Sequence, residues 1–182
     1  MGTDGGKAIL IGLGKQAKAD AHAYREAGAT VVASLKKVHG NELTVVFHDA
    51  GVENMAAFGE GMMLRNYSYD DYKQVDEDDE KPALAARINC SEANATALSE
   101  AVERAAAIAS GVHLSRDLGN CPPNDMYPMA FALKAEEWAK AYDNVKVEII
   151  DYESAKRQGM GGLVAVGMGS ARKPCMVIFT LN

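Results

Sequence analysis

Several short stretches of the chain hold residue types that could do chemistry, and each would require a different partner set. Gly12-Leu-Gly-Lys-Gln-Ala17 has the form G-x-G-x-x-A, the kind of turn that lets a backbone approach a pyrophosphate at a helix N-terminus. Such a site needs an acid about 20 residues on, at the end of the second strand. Lys36 and Lys37 stand there instead, and the first acid at the strand's end is Asp49. The tight strand-to-helix turn alone accounts for Gly12 and Gly14. Gly161, Gly162, Gly167 and Gly169 suggest a phosphate cradle, but a P-loop needs Lys and Ser or Thr after its last glycine, and Gly169 is followed by Ser170 and Ala171. Backbone flexibility is the reading that remains for them.

Nucleophile and metal chemistry fare no better on spacing. His113, Ser115 and Asp117 supply triad residue types, but two and four residues apart on one helix Ser115 points away from the other two. His22, His39, His48 and His113 are scattered, with no H-E-x-x-H and no pair four apart. Cys121 has no neighbouring histidine, and Cys90, Cys121 and Cys175 form neither C-x-x-C nor an even set, so a disulfide framework and a structural zinc site are not indicated. Asp76 to Glu80 is a block of five acids, read as a solvated loop and not a metal site.

The elements that must position these residues follow from periodicity. Lys7 to Gly12 is an apolar run closed by glycine, a strand. Ala17 to Val38 repeats apolar residues at helical spacing through Ala23, Ala27, Val31 and Leu35. Leu43 to Phe47 is β-branched and aromatic, and Val52 to Leu64 is helical through Met55, Phe58, Met62 and Leu64. Ala85 to Cys90 reads as a third strand. This β-α-β-α order implies parallel strands with right-handed crossovers. From Glu92 to Leu118 the chain is alanine-rich, with Ala95, Leu98, Val102, Ala105, Ile108, Ala109, Val112 and Ser115 on one face of a long helix that Ser91 could cap.

Asp117 to Pro128 reads Asp-Leu-Gly-Asn-Cys-Pro-Pro-Asn-Asp-Met-Tyr-Pro. Gly119 and Asn120 can adopt the left-handed angles that end a helix, and Pro122 and Pro123 forbid its continuation. Asn124 or Asp125 can cap the next helix, with Pro128 in its first turn. That helix runs Met129 to Tyr142, with Phe131, Leu133, Ala135 and Trp138 among its apolar residues. Val145 to Ile150 is a strand, Tyr152 to Gln158 a short helix stopped by Gly159, and Gly161 to Gly169 a turn or strand. Cys175 to Leu181 is apolar except for Thr180 and reads as a strand buried on both faces. With only Asn182 after it, a polypeptide that stops inside a domain is the expectation.

Size and charge bound what this frame could serve. With 182 residues and 48% hydrophobic content the chain can bury a core in one or two domains. A formal net charge of -6, from 19 basic and 25 acidic residues, has the wrong sign for a phosphate-neutralising partner, so nucleic acid is a poor default. No stretch approaches a membrane span, and the N-terminus lacks the pattern of a signal peptide. A cytoplasmic setting is expected.

Two motifs in order give a resemblance. Arg116-Asp-Leu-Gly-Asn-Cys-Pro-Pro-Asn124, then Gly159-Met-Gly-Gly-Leu-Val-Ala-Val-Gly-Met-Gly-Ser-Ala171 after one helix and one strand, resemble the leucyl (cytosol) aminopeptidase family. Gln158 replaces that pattern's usual leucine, and Met168 stands where glutamine is common. Ile9 to Lys15 and Gly61 to Lys73 also resemble stretches of that family's amino-terminal domain. The resemblance implies a macro-domain-like amino-terminal lobe and a hexameric parent enzyme acting on peptides. Its two divalent cations, Zn or Mn, would activate water against the first peptide carbonyl. It places the metal-binding lysine, the carboxylates of N-T-D-A-E-G-R-L and the catalytic arginine beyond the last strand seen here, and no such motif occurs in these residues. The expectation is therefore an α/β fold with a mostly parallel sheet and flanking helices over 1–90, an amino-terminal domain incomplete at its start because the strand at Ile9 resembles an interior strand of that family's domain, then a connecting helix over 91–120, and the truncated opening β-α elements of a peptidase domain over 121–182. No catalytic, cofactor-binding or metal-ligating residue is expected in it. Two alternatives stand beside it, a non-catalytic oligomerisation or interaction module and a nucleotide-binding α/β domain resting on Gly12 to Ala17.

Overall fold

The helix that follows Gly14 starts where a carboxylate can hold it. In a computed structural model that describes residues 8–37, 41–74 and 83–182, helix α1 spans Ala21–Lys37, and Asp20 Oδ1 accepts from the Ala23 N–H at 3.0 Å. Its buried stripe is Tyr24, Ala27, Val31, Val32 and Leu35, so Tyr24 and not Ala23 leads the apolar face. Strand β1, Glu42–Val46, leads to α2, Val52–Asn66, and then to β2, Ala85–Asn89. β1 and β2 pair in parallel, Glu42 opposite Ala85 through Val46 opposite Asn89, as the β-α-β order requires. Tyr24, Val31, Val32, Leu35, Val45, Phe58 and Met62 form the core. Phe47 joins them edge-on to Phe58 at 5.1 Å between ring centroids.

One departure from the sequence reading concerns the first expected strand. The run to Gly12 forms no strand over its described residues, which have no ladder partner among the described residues; Ile11 and Leu13 pack on the core. The acid block at 76–80, His39 and the side chains of Lys36 and Lys37 lie outside the described residues.

A 3-10 turn at Glu92–Asn94, which Ser91 precedes without a side-chain cap bond, opens α3, Ala95–Asn120. Its buried residues are Leu98, Ala101, Ala105 and Ala109, while Ile108 is exposed. The chain divides into compact units of Met1–Arg116 and Asp117–Asn182. Within the first unit, residues of α3 close the C-terminus of α2. Arg116 donates to the Leu64 carbonyl at 2.8 Å, and His113 Nε2 lies 3.2 Å from the Met63 carbonyl. These are orphan carbonyls of a helix end, where cationic donors are favoured.

The second unit holds α4, Pro128–Ala139; β3, Val145–Ile150; α5, Tyr152–Arg157; α6, Gly161–Gly167; and β4, Met176–Leu181. β3 and β4 pair antiparallel, Val145 opposite Leu181 through Ile150 opposite Met176, so the parallel arrangement is confined to the first unit. Trp138 of α4 meets Phe179 of β4 edge-on at 5.9 Å. β4 was expected to be buried on both faces. It is paired along an edge but mostly exposed, with Phe179 and Leu181 at 50% and 75%. An apolar run reports that a strand can be covered, not what covers it. Residues 161–167, expected as a turn or strand, form a helix, with the Val164 N–H bonded to the Met160 carbonyl; a short apolar run such as Leu163 to Val166 does not discriminate the two.

Asp151 caps α5, its Oδ1 accepting from the Ser154 N–H at 2.7 Å, and Gly159 at φ +72° ends it. The bond from Ser154 holds the Asp151 carboxyl below its ordinary range. A depressed folded-state pKa stabilises above the unfolded value and is lost as pH falls through the folded one. The protection factor of amides in the first turn of α5, the exchange rate of an unfolded chain at the same pH divided by the observed rate, should therefore hold at neutral pH and fall below about pH 4, near the ordinary carboxyl range. In Asp151→Asn that acid-side loss of protection should vanish.

Candidate functional site

The chemistry-bearing stretches resolve into one assembled feature and several isolated ones. α3 keeps right-handed geometry through Gly119 and Asn120, neither of which takes a positive φ. It is Pro122 and Pro123 that stop it. The Cys121 N–H still bonds to the Asp117 carbonyl at 3.0 Å. The Asp125 and Met126 N–H groups both bond to the Pro122 carbonyl, at 2.9 and 2.8 Å, making one tight turn. Tyr127 then sits at the N-cap of α4 in extended conformation with Pro128 at the first helical position. Neither Asn124 nor Asp125 caps that helix, contrary to expectation. The N-cap position falls at Tyr127, two residues past Asp125 and three past Asn124, and the Asn124 amide donates to the Asp125 carboxylate at 3.1 Å.

The second motif supplies the groups that fix this joint. Arg172 lies just after Gly169-Ser-Ala171, and its Nη1 donates to the Asn124 carbonyl and, at 3.4 Å, to that of Pro123. Its guanidinium carbon stands 4.3 Å from the Tyr127 ring centroid, within cation–π range. The Cys175 Sγ donates to the Pro128 carbonyl at 3.2 Å, and burial pushes that thiol's pKa up. A protonated, carbonyl-bonded thiol is a packing group and not a nucleophile. Lys173 Nζ donates to the Met168 carbonyl at 2.8 Å and lies over the Tyr152 ring. The Arg172 guanidinium is suited to its task because its planar fork can reach two neighbouring carbonyls while its face lies on the ring. Arg172 escaped the sequence reading, since an arginine 44 residues past Pro128 has no local signal of what it will touch.

Substituting Arg172 by alanine removes the bonds and the stack together. The site is exposed, so about 1–2 kcal/mol is expected, the lower range for charged hydrogen bonds plus an exposed cation–π pair. Lysine should recover less than half, as the fork is lost. Urea unfolding of the three chains, followed by circular dichroism, gives the ordering directly.

The remaining candidates stay apart. Gly14 takes φ +77° and makes the turn expected of it, but a 3-10 turn at Gln16–Lys18 separates it from α1. The α1 N-terminus is already filled by the Asp20 carboxylate, so an anion would compete with a built-in one. Asp49, at φ +58°, is exposed beyond the end of β1. Gly161 and Gly162 belong to α6, and Gly167 has a packing role, not the flexibility expected of it. A Cβ there would meet the Pro174 ring at 2.1 Å. His113 serves the α2 C-terminus. His22 is a surface neighbour of Glu26 at 3.9 Å. Among the described residues no three His, Cys, Asp or Glu side chains stand close enough to hold a metal ion. A dinuclear centre therefore does not fit the described residues.

Comparison with known proteins agrees with the two motifs. The model of the cytosol aminopeptidase family N-terminal domain matches residues 2–76, and that of the same family's catalytic domain matches 113–182. A probable cytosol aminopeptidase of Agrobacterium fabrum is 38% identical over 188 residues, covering 100% of this chain and 37% of that protein. One from Rhizobium etli is 37% identical, covering 93% and 34%. The chain thus spans about a third of the length of these relatives. Among solved structures, the bottromycin maturation enzyme BotP in complex with Mn superposes with a TM-score of 0.75 at 27% identity, over 90% of this chain and 34% of that one. A tomato leucine aminopeptidase mutant superposes at 0.79 over 92% and 34%, with 22% identity, a likeness of fold. With both domain models matched in order and relatives aligned along nearly its whole length, the chain belongs to the cytosol aminopeptidase family.

Proposed function

We propose that these residues supply the amino-terminal domain and the opening elements of the peptidase domain of a metal-dependent leucyl aminopeptidase, and that alone they do not hydrolyse peptides. The observation that carries the second half is the donor inventory. Two-metal hydrolysis needs several carboxylates around ions about 3.5–4 Å apart, and no cluster of even three suitable side chains occurs among the described residues. The first half is supported by the matched domain models and by the Mn in the BotP complex, which makes a divalent metal the cofactor to expect in the whole enzyme. The Arg172 clamp is then a positioning device, setting the angle at which α4 leaves the joint. Peptide substrates, a homo-oligomeric, hexameric state and a cytosolic location come with this reading as properties of the whole enzyme.

The purified 182-residue chain, incubated with Mn²⁺ or Zn²⁺ and leucyl-p-nitroanilide, should release nitroaniline no faster than buffer with metal. Metal-dependent turnover that survives repurification and is abolished by chelation would refute the proposal.

A further inference from the structure

We draw no further inference here: the strongest candidate, the exposed apolar face of the second unit where Trp138 of α4 meets the rings of Tyr142 and of Phe179 on β4, carries nothing, because nothing in the structure shows what covers it.

Discussion

Gly28→Ala and Gly61→Ala should each unfold or severely loosen the first unit, although alanine is the better helix former. The two glycines face one another's helices. A Cβ on Gly28 of α1 would lie 2.0 Å from the Phe58 carbonyl oxygen of α2, and one on Gly61 of α2 would lie 1.9 Å from that of Arg25. Both obstacles are backbone atoms, so no side chain can turn aside; the helices must separate by more than an ångström. Alanine returns about 1 kcal/mol of helix propensity, against an overpacking cost of about 1–3 kcal/mol that rises when backbone must move. Separation also pulls on Val32, Phe58 and Met62 and on the two Arg25–Glu60 hydrogen bonds, 2.9 and 3.0 Å. A net loss of about 3 kcal/mol is expected for each, a large share of the total stability of a small domain.

The matching controls lie in helices of the same unit. A Cβ at Gly59 would come no nearer than 4.0 Å to the Ile88 side chain, and one at Gly111 would meet nothing within 4 Å. Alanine there should stabilise by up to about 1 kcal/mol. Thermal melts of the four variants decide it: Gly28 and Gly61 changes must lower the midpoint while Gly59 and Gly111 changes raise it or leave it. Four similar midpoints would mean that α1 and α2 do not cross at these glycines.

That crossing shows where sequence reading stops. The spacing of Ala27, Val31 and Leu35 and of Met55, Phe58 and Met62 is local, and it located both helices and their buried faces. Nothing local distinguishes Gly28 and Gly61, which hold two backbones together, from Gly59, which does not, because the difference is made by a residue 30 or more positions away. The same holds at the joint. Pro122 and Pro123 announce a helix stop through their own ring geometry, so the end of α3 was legible; the clamp by Arg172 was not. The strand expected before Gly12 has the right residues but no described ladder partner, and a strand exists only with one. Residues 161–169 failed for a different reason, since four apolar residues between glycines satisfy both a helix and a strand pattern.

Gly167→Ala should be the most damaging single-methyl change in the second unit. The new Cβ would stand 2.1, 2.2 and 3.0 Å from the Cγ, Cδ and Cβ of Pro174, a rigid ring with no rotamer to yield. Either α6 withdraws or the segment carrying Pro174 does. That segment also bears Arg172, Lys173 and Cys175, which contact Asn124, Met168 and Pro128, so displacing it opens the joint as well as the packing. Direct overpacking costs about 1–3 kcal/mol, and loss of the Arg172 contacts adds the 1–2 kcal/mol assigned to them above. The double variant Gly167→Ala with Arg172→Ala discriminates between shared and separate damage. If the methyl acts partly through the clamp, the double variant will be less destabilised than the two single changes added together, by about 1 kcal/mol. Strict additivity in urea unfolding would show that α6 packing and the Arg172 clamp are independent. Pro174→Ala in the Gly167→Ala background should restore most of the loss, since it removes the two ring carbons nearest the new methyl group.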